Sequence, residues 1–264
     1  MKKRILFMLL FPVLAQGFPV TVPLDSLISV DQRIEIDKHR REVHASRAQK
    51  TPASVSLVSC DTEVKQQFGG TCTTFGLIGA IENLLCDGTE LSARDFWNQY
   101  QVYQASTAVS VATKGRGLIE STFWPQSATA PLPTWKQSPL YKLANSVQVF
   151  TVNEIVAHLA AKKPAYVAMS TPNDMVNCKA VVSPTSPPVP NSGHALEVMG
   201  YKKQGADVYF IVKNSWGADC GIGGYQSFPA SYCEQDGVYC MFWLIKSVKK
   251  EKPLVGSSGG QGQR

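Results

Sequence analysis

The chain has 264 residues, 44% hydrophobic and 17% charged, with a formal charge of +6. This is the composition of an ordinary globular protein, long enough for a packed core in one or two domains. Residues 1–17 carry three positive charges and no negative ones, so without them +6 becomes +3, and the basic balance gives no ground for a nucleic-acid partner.

The first element is "MKKRILFMLLFPVLAQG". A basic start, an apolar stretch from Ile5 to Leu14 and small residues at Ala15 and Gly17 read as a secretory signal peptide of prokaryotic type, too short to span a bilayer. The expectation is an exported protein, periplasmic or extracellular, with no membrane contact once the signal is removed. Residues 18–51 are polar and charged, and read as a short pro-segment or flexible arm with one helix near Ile34–Ser46. Packing is expected to begin at "TPASVSL".

From Cys72 the apolar spacing is helical, over Cys72–Leu85 and again over Leu91–Gln104. Loops rich in Ser, Thr and Pro follow, including Gln126–Pro139. After Asn145 the period becomes alternating. "NSVQVFTV", "AYVAMST", "GHALEVMGY" and "DVYFIVKNSW" read as strands, with one helix over Asn153–Lys163. "VVSPTSPPVPNS" before His194 reads as an extended surface loop, and residues 249–264 as a disordered tail. A helical half (52–145) followed by a sheet-rich half (146–248) predicts an α+β protein with a crevice between the halves.

The chemistry centres on "QQFGGTCTTFGLIGAIENLL". Gly69 and Gly70 oppose helix, so Cys72 falls in the first helical turn, with Thr71 a candidate N-cap, and the positive end of the helix dipole favours its thiolate. A cysteine nucleophile needs a base and a group to orient it. His39 and His44 lie in the arm, and His158 on an amphipathic helix reads as a surface or packing residue. His194, after Gly193 at the start of a strand, is the candidate base. Asn214 ends the next apolar strand, where its carbonyl can fix the imidazole tautomer, and Trp216 can shield that bond. Seven cysteines leave one thiol over if the rest pair. With no CxxC pair and few histidines, no zinc site, other metal site or cofactor is expected.

In order, "VKQQFGGTCTTF", "LSARDF", "GLIESTFWP", "KKPAYVAM", "GHALEVMGY" and "VKNSWGADCGIGGY" resemble the papain family of cysteine peptidases over Thr51–Val248. The gaps from Cys72 to His194 and Asn214 are 122 and 142 residues, near the family spacing of about 130–150. The resemblance implies a two-lobe fold, a helical N-terminal lobe and a β-sheet or barrel-like C-terminal lobe, with the active-site cleft between them. It implies an endopeptidase acting on protein or peptide substrates with Cys72, His194 and Asn214. Gln66 is placed in the oxyanion hole, or Gln67 if the loop is one residue shorter. Gly69, Gly70, Ala168, Ser192, Gly193, Trp216 and Ile245 are implied to line the substrate cleft, the second specificity pocket being apolar. A Cys178–Cys240 disulfide is also implied, and residues 18–51 are a candidate autoinhibitory segment. Thr73 stands where the family has tryptophan, Gly69 where it has a cysteine, and Cys220 where a second tryptophan is common. An acyltransferase on the same scaffold and a non-catalytic binding module are the alternatives.

Overall fold

The computed structural model describes residues 20–40 and 51–255. Residues 20–40 hold a two-residue strand β1 (Val22–Pro23), a single turn α1 (Leu24–Leu27) and α2 (Val30–Arg40). Residues 51–255 begin with β2 (Ser54–Ser56), three helices α3 (Cys72–Leu85), α4 (Ala93–Tyr100) and α5 (Ala105–Lys114), then β3 (Leu140–Val149), α6 (Val152–Ala160), β4 (Ala165–Pro172) and a short α7 (Asn173–Val176). β5 (Pro188–Gln204), β6 (Asp207–Lys213), β7 (Tyr225–Pro229) and β8 (Cys240–Glu251) complete the chain. The main sheet runs β3-β8-β4-β5-β6-β7 with antiparallel pairing, and β1 and β2 both add to β5. The path ends at β3 on one side and β7 on the other, so the sheet is open.

Alternation along the central strands explains the two layers. Successive side chains of a strand point to opposite faces. In β4, Tyr166 and Ala168 join the core under the helices, while Ala165, Val167 and Met169 join a second core on the other face. β8 repeats this, with Met241, Trp243 and Ile245 on the helical side and Cys240, Phe242 and Leu244 behind. A strand buried on both faces reads as an unbroken apolar run, and all eight residues of β4 are buried.

α3 is the hub of the helical side, buried from Cys72 through Asn83. A helix apolar nearly all round must be enclosed. Its approach to β5 depends on Gly76, where an added Cβ would lie 2.8 Å from the Leu196 amide nitrogen. Ser92 caps α4 by accepting from the Asp95 amide at 3.0 Å, and Thr151 caps α6 through the Glu154 amide. Such caps contribute about 1 kcal/mol each. Thr71 is the N-cap of α3 by position, but its hydroxyl donates backward to the Phe68 carbonyl at 2.7 Å, which ties the turn instead.

Several elements differ from expectation. α5 lies in a stretch read as loop; its Ser, Thr and Val content gives weak helical propensity, and burial of Ala105, Ala108, Val109 and Ala112 outweighs it. The arm helix spans Val30–Arg40, and the predicted extension to Ser46 lies outside the described residues. β5 begins at Pro188, inside the predicted loop, and β8 runs through Glu251, past the predicted start of the tail. The signal segment and residues 256–264 also lie outside the described residues.

The disulfide expectation is corrected. Cys178 pairs with Cys220 and Cys240 with Cys233, not Cys178 with Cys240, and the third bridge is Cys60–Cys86. Cys178 follows α7 beside the turn that holds Cys220, where the Gly221 amide donates to the Cys178 carbonyl at 3.1 Å. Cys240 opens β8 opposite Met169 and meets the 3-10 turn Ala230–Glu234 seven residues upstream. Cys72 is the one cysteine left free.

Candidate active site

α3 delivers Cys72 to β5. Gly69 has φ +56°, a left-handed conformation that suits glycine, and it turns the chain into the helix. With Gly76 seated on Ala195–Leu196, the first turn of α3 lies beside the residue that follows His194. The Cys72 thiol has no exposed surface, and burial pushes it up to about 11, against the opposing pull of the Ala195 backbone and of Thr73.

His194 is equally buried. Its Nε2 lies 2.9 Å from Asn214 Oδ1, an oxygen that can only accept, so the proton sits on Nε2. Nδ1 has no hydrogen-bond partner and keeps its lone pair. Trp216 stacks on the imidazole at 4.2 Å and 18°. Burial pushes the imidazole down to about 4, and the Asn214 contact opposes it. Asn214 is itself fixed: Oδ1 also accepts from the Ser215 amide at 2.7 Å, and Nδ2 donates to Gln226 Oε1 at 2.6 Å.

The two glutamines before the nucleophile segment have different environments. Gln66 is exposed, bridges Trp216 through its backbone and turns its side-chain oxygen toward Gly217. Gln67 is buried. Its Oε1 accepts from Ser215 Oγ at 2.6 Å, while Nε2 donates to Gly69 O at 2.8 Å and Val20 O at 3.0 Å. Of the two, Gln67 is the one whose side chain meets the arm, at Val20, while that of Gln66 lies against Gly217.

The remaining residues expected in the cleft fall into two groups. Ala168 pairs with Ala195 across β4 and β5, and both share a core with Ile245. Ser192 is buried, donating to Thr171 Oγ1 at 3.1 Å, and Gly193 precedes His194. Gly69 is exposed and Gly70 half-buried on the opposite wall, near Tyr103. His158 is a packing residue, its Nε2 held between the carbonyls of Pro164 and Ile245.

What covers this cleft is the arm. The Val20 carbonyl accepts from Gln67 Nε2 and, at 3.1 Å, from the Trp216 indole N–H. Val22 and Pro23 pair with Gly193 and Ser192 as an added strand. Leu27 and Ile28 are fully buried, and a Cβ on Gly193 would come within 2.8 Å of Leu27 Cδ2. α2 then crosses to the sheet side, where Ile36 and His39 pack beside Phe150, with ring centroids of His39 and Phe150 4.4 Å apart. Sequence reasoning named the arm as a block but not its contacts, because no periodicity marks a two-residue strand. It also missed Tyr103 and Gln101–Gln104, which form a surface hollow with Ser26, and Gln226, whose role is visible only once β7 lies beside β6.

Comparison with known proteins agrees with this architecture. Residues 45–239 match the family model described as papain family cysteine protease. The chain is 27% identical over 183 residues to a cathepsin L-like proteinase of Fasciola hepatica, covering 62% of this chain and 55% of that one. It is 39% identical over 56 residues to an uncharacterized peptidase C1-like protein of Acanthamoeba polyphaga mimivirus, 21% of this chain and 17% of that one. The chain thus spans about half or less of the length of these relatives. Xylellain, a cysteine protease from Xylella fastidiosa, superposes with a TM-score of 0.60 at 19% identity over 77% of this chain and 91% of that one, a likeness of fold. No helix among the described residues is long and apolar enough to cross a membrane. With the family match spanning most of the sequence, this chain belongs to the papain family of cysteine proteases.

Proposed function

We propose that the protein is an exported cysteine endopeptidase, held latent by its own residues 20–28. The observation that carries the reading is one buried constellation: a free Cys72 in the first turn of a helix, beside β5, and His194 oriented by Asn214 at 2.9 Å with Nδ1 unengaged. In the uncovered enzyme the Cys72 proton passes to His194 Nδ1. The thiolate then attacks the carbonyl carbon of a peptide bond, and its electron pair moves to the oxygen. Gln67 Nε2 and the Cys72 amide stabilise that oxyanion. His194 returns the proton to the leaving amine, and water, deprotonated by His194, cleaves the thioester and frees the acid. Asn214 keeps the ring in the tautomer this sequence needs.

Three disulfides support an oxidising compartment, in keeping with the leader-like residues 1–17. The side chains that the arm buries over Gly193, Leu24 and Leu27, support a preference for substrates with a bulky aliphatic residue at that subsite. The test is hydrolysis of fluorogenic peptides by the full chain after limited proteolysis of the arm, with Cys72→Ala as control. Turnover lost by at least about 10³-fold in the variant is expected. Equal turnover in both would remove the proposal, and amide transfer to an added amine without hydrolysis would reassign it to an acyltransferase.

A further inference from the structure

Behind the reacting groups lies a second buried polar cluster that the mechanism above does not use. Glu197 sits three residues after His194 on β5 and is 1% exposed, and neither carboxyl oxygen has a hydrogen-bond partner. It faces Gly79 of α3, where a Cβ would lie 2.6 Å from Glu197 Oε2. Across the sheet it is in register with Lys213 of β6, whose Nζ stands 3.3 Å from Oε2, and Lys213 immediately precedes Asn214. The elements bearing Cys72, His194 and Asn214 therefore all pack on this one carboxyl. One small cavity is lined by Glu197, Lys213, Asn214 and Ser215 together with Gly76 and Gly79.

The surrounding groups are otherwise matched. Lys213 Nζ donates to Asp61 Oδ1 and, at 3.2 Å, to Thr62 Oγ1. Asp61 Oδ2 accepts from the Tyr225 hydroxyl at 3.0 Å. Glu82 of α3 accepts from Lys65, Thr62 and the Leu91 amide. From β4, Tyr166 is in register with Glu197, and its hydroxyl is turned toward Thr73. Glu63 and Glu90 lie on the solvent side of Lys65. Three inward carboxylates thus share two ammonium groups, and Glu197 has only the 3.3 Å approach of Lys213, which Asp61 and Thr62 also engage.

We infer that Glu197 is a positioning residue for the reaction, acting through Lys213 on Asn214, and that its loss of a proton closes the turnover profile on the alkaline side. This rests on the peptidase reading above. Burial holds the Glu197 carboxyl up at about 8, against the attraction of Lys213, so at neutral pH it keeps its proton and Lys213 directs its hydrogen bonds to Asp61 and Thr62. When that proton leaves to solvent, the new carboxylate competes for the same ammonium. Lys213 is drawn along β6, and the backbone that sets Asn214 against His194 shifts with it.

The experiment measures kcat and KM of the full chain, activated by limited proteolysis of the arm, from about pH 6 to 10, beside Glu197→Gln. An alkaline limb in kcat near pH 8 is expected for the parent. In the variant it moves up by at least about one pH unit, a tenfold change in proton concentration, while KM keeps its pH dependence. A limb at the same pH in both proteins overturns the inference, as does a parent with no limb below about pH 10. Melting curves in the Cys72→Ala background test the ionisation without turnover. Stability of the parent falls as pH rises toward 8 and that of the glutamine variant does not; parallel curves overturn the inference even if the peptidase reading fails.

Discussion

His194 and Glu197 are neighbours on one face-alternating strand, both almost wholly buried, yet different parts of the chain bury them. His194 is sealed by the arm, through Val22, Pro23 and Leu27 over Gly193. Glu197 is sealed by α3, β4 and β6, which never leave. On the latency proposed above, the first burial is detachable and the second permanent. Detachable burial disarms chemistry: with the cover on, the thiol is pushed up to about 11 and the imidazole down to about 4, so both reacting groups are neutral at ordinary pH. Permanent burial tunes a group for the life of the fold. The two also respond to pH with opposite signs.

The sharpest way to break this comparison is to loosen the cover alone. Leu27→Asp places a carboxylate in the apolar cluster over Gly193, where an unpaired charge is costly. Once uncovered, Cys72 regains solvent and the helix-end field, and its pKa should fall toward the range of about 3.5–7.5 seen for activated thiols. Alkylation of Cys72 in the full chain at neutral pH should then rise by about 10²–10³-fold. An unchanged rate would mean that burial by the arm is not what silences the thiol.

Next in size is the contrast between the adjacent glutamines. Gln67→Ala should lower kcat of the activated enzyme by about 10²–10³-fold, as loss of one oxyanion donor does elsewhere. Gln66→Ala, with its exposed side chain, should change kcat by less than about threefold. The reverse order would assign the oxyanion donor to Gln66 and reduce the Gln67–Val20 contact to a strut for the arm.

These glutamines also show where sequence reasoning stops. Cys72 and Asn214 were legible because one opens a helix and the other follows a strand end, and periodicity places such ends well; His194, expected at the start of a strand, lies within β5 and was legible as the one histidine outside the arm and the amphipathic helix. Choosing between Gln66 and Gln67 needs the length of a loop to one residue, and no period runs through a glycine-rich turn. The strands β3 to β6 likewise followed from alternation, but β7, β8 and the order of the sheet did not, and neither did α5, since small residues packed on β3 sustain it. Cystine pairing depends on turns that bring distant segments together, and Cys178–Cys220 is closed by a turn rather than by any repeat. Glu197 carried no signal at all. In "GHALEVMGY" it is one acidic residue in an apolar strand, and only the sheet shows that it faces inward on Lys213.

The pH responses test the comparison more finely. For His194 the covered value of about 4 lies below the ordinary 6.5. The covered state is therefore at full strength above pH 6.5 and weakens as pH falls toward 4, by up to about tenfold in population per pH unit. Trp216 reports this, because its indole N–H is bonded to the Val20 carbonyl and its ring stacks on His194. Its fluorescence in the Cys72→Ala chain should change between pH 6.5 and 4 and stay flat above. For Glu197 the sign reverses: stability is complete below about 4.5 and is lost as pH rises through about 8. A single transition for both probes would mean that the two burials are one.

The smallest effect concerns the bridges that keep the second kind of burial permanent. Cys178–Cys220 closes 42 residues and ties α7 to the turn below Asn214, whereas Cys233–Cys240 closes only 7. Loop-closure entropy grows with the logarithm of loop length, so replacing the shorter bridge by two serines should cost about 1–2 kcal/mol less than replacing the longer one. Chemical denaturation of the Cys72→Ala chain measures both without self-cleavage. If loss of the longer bridge also moves the pH response of Glu197 while loss of the shorter does not, the permanent cover includes the Cys220 turn. That outcome would follow from the chain of contacts Cys220, Asn214, Lys213 and Glu197, each of which touches or adjoins the next.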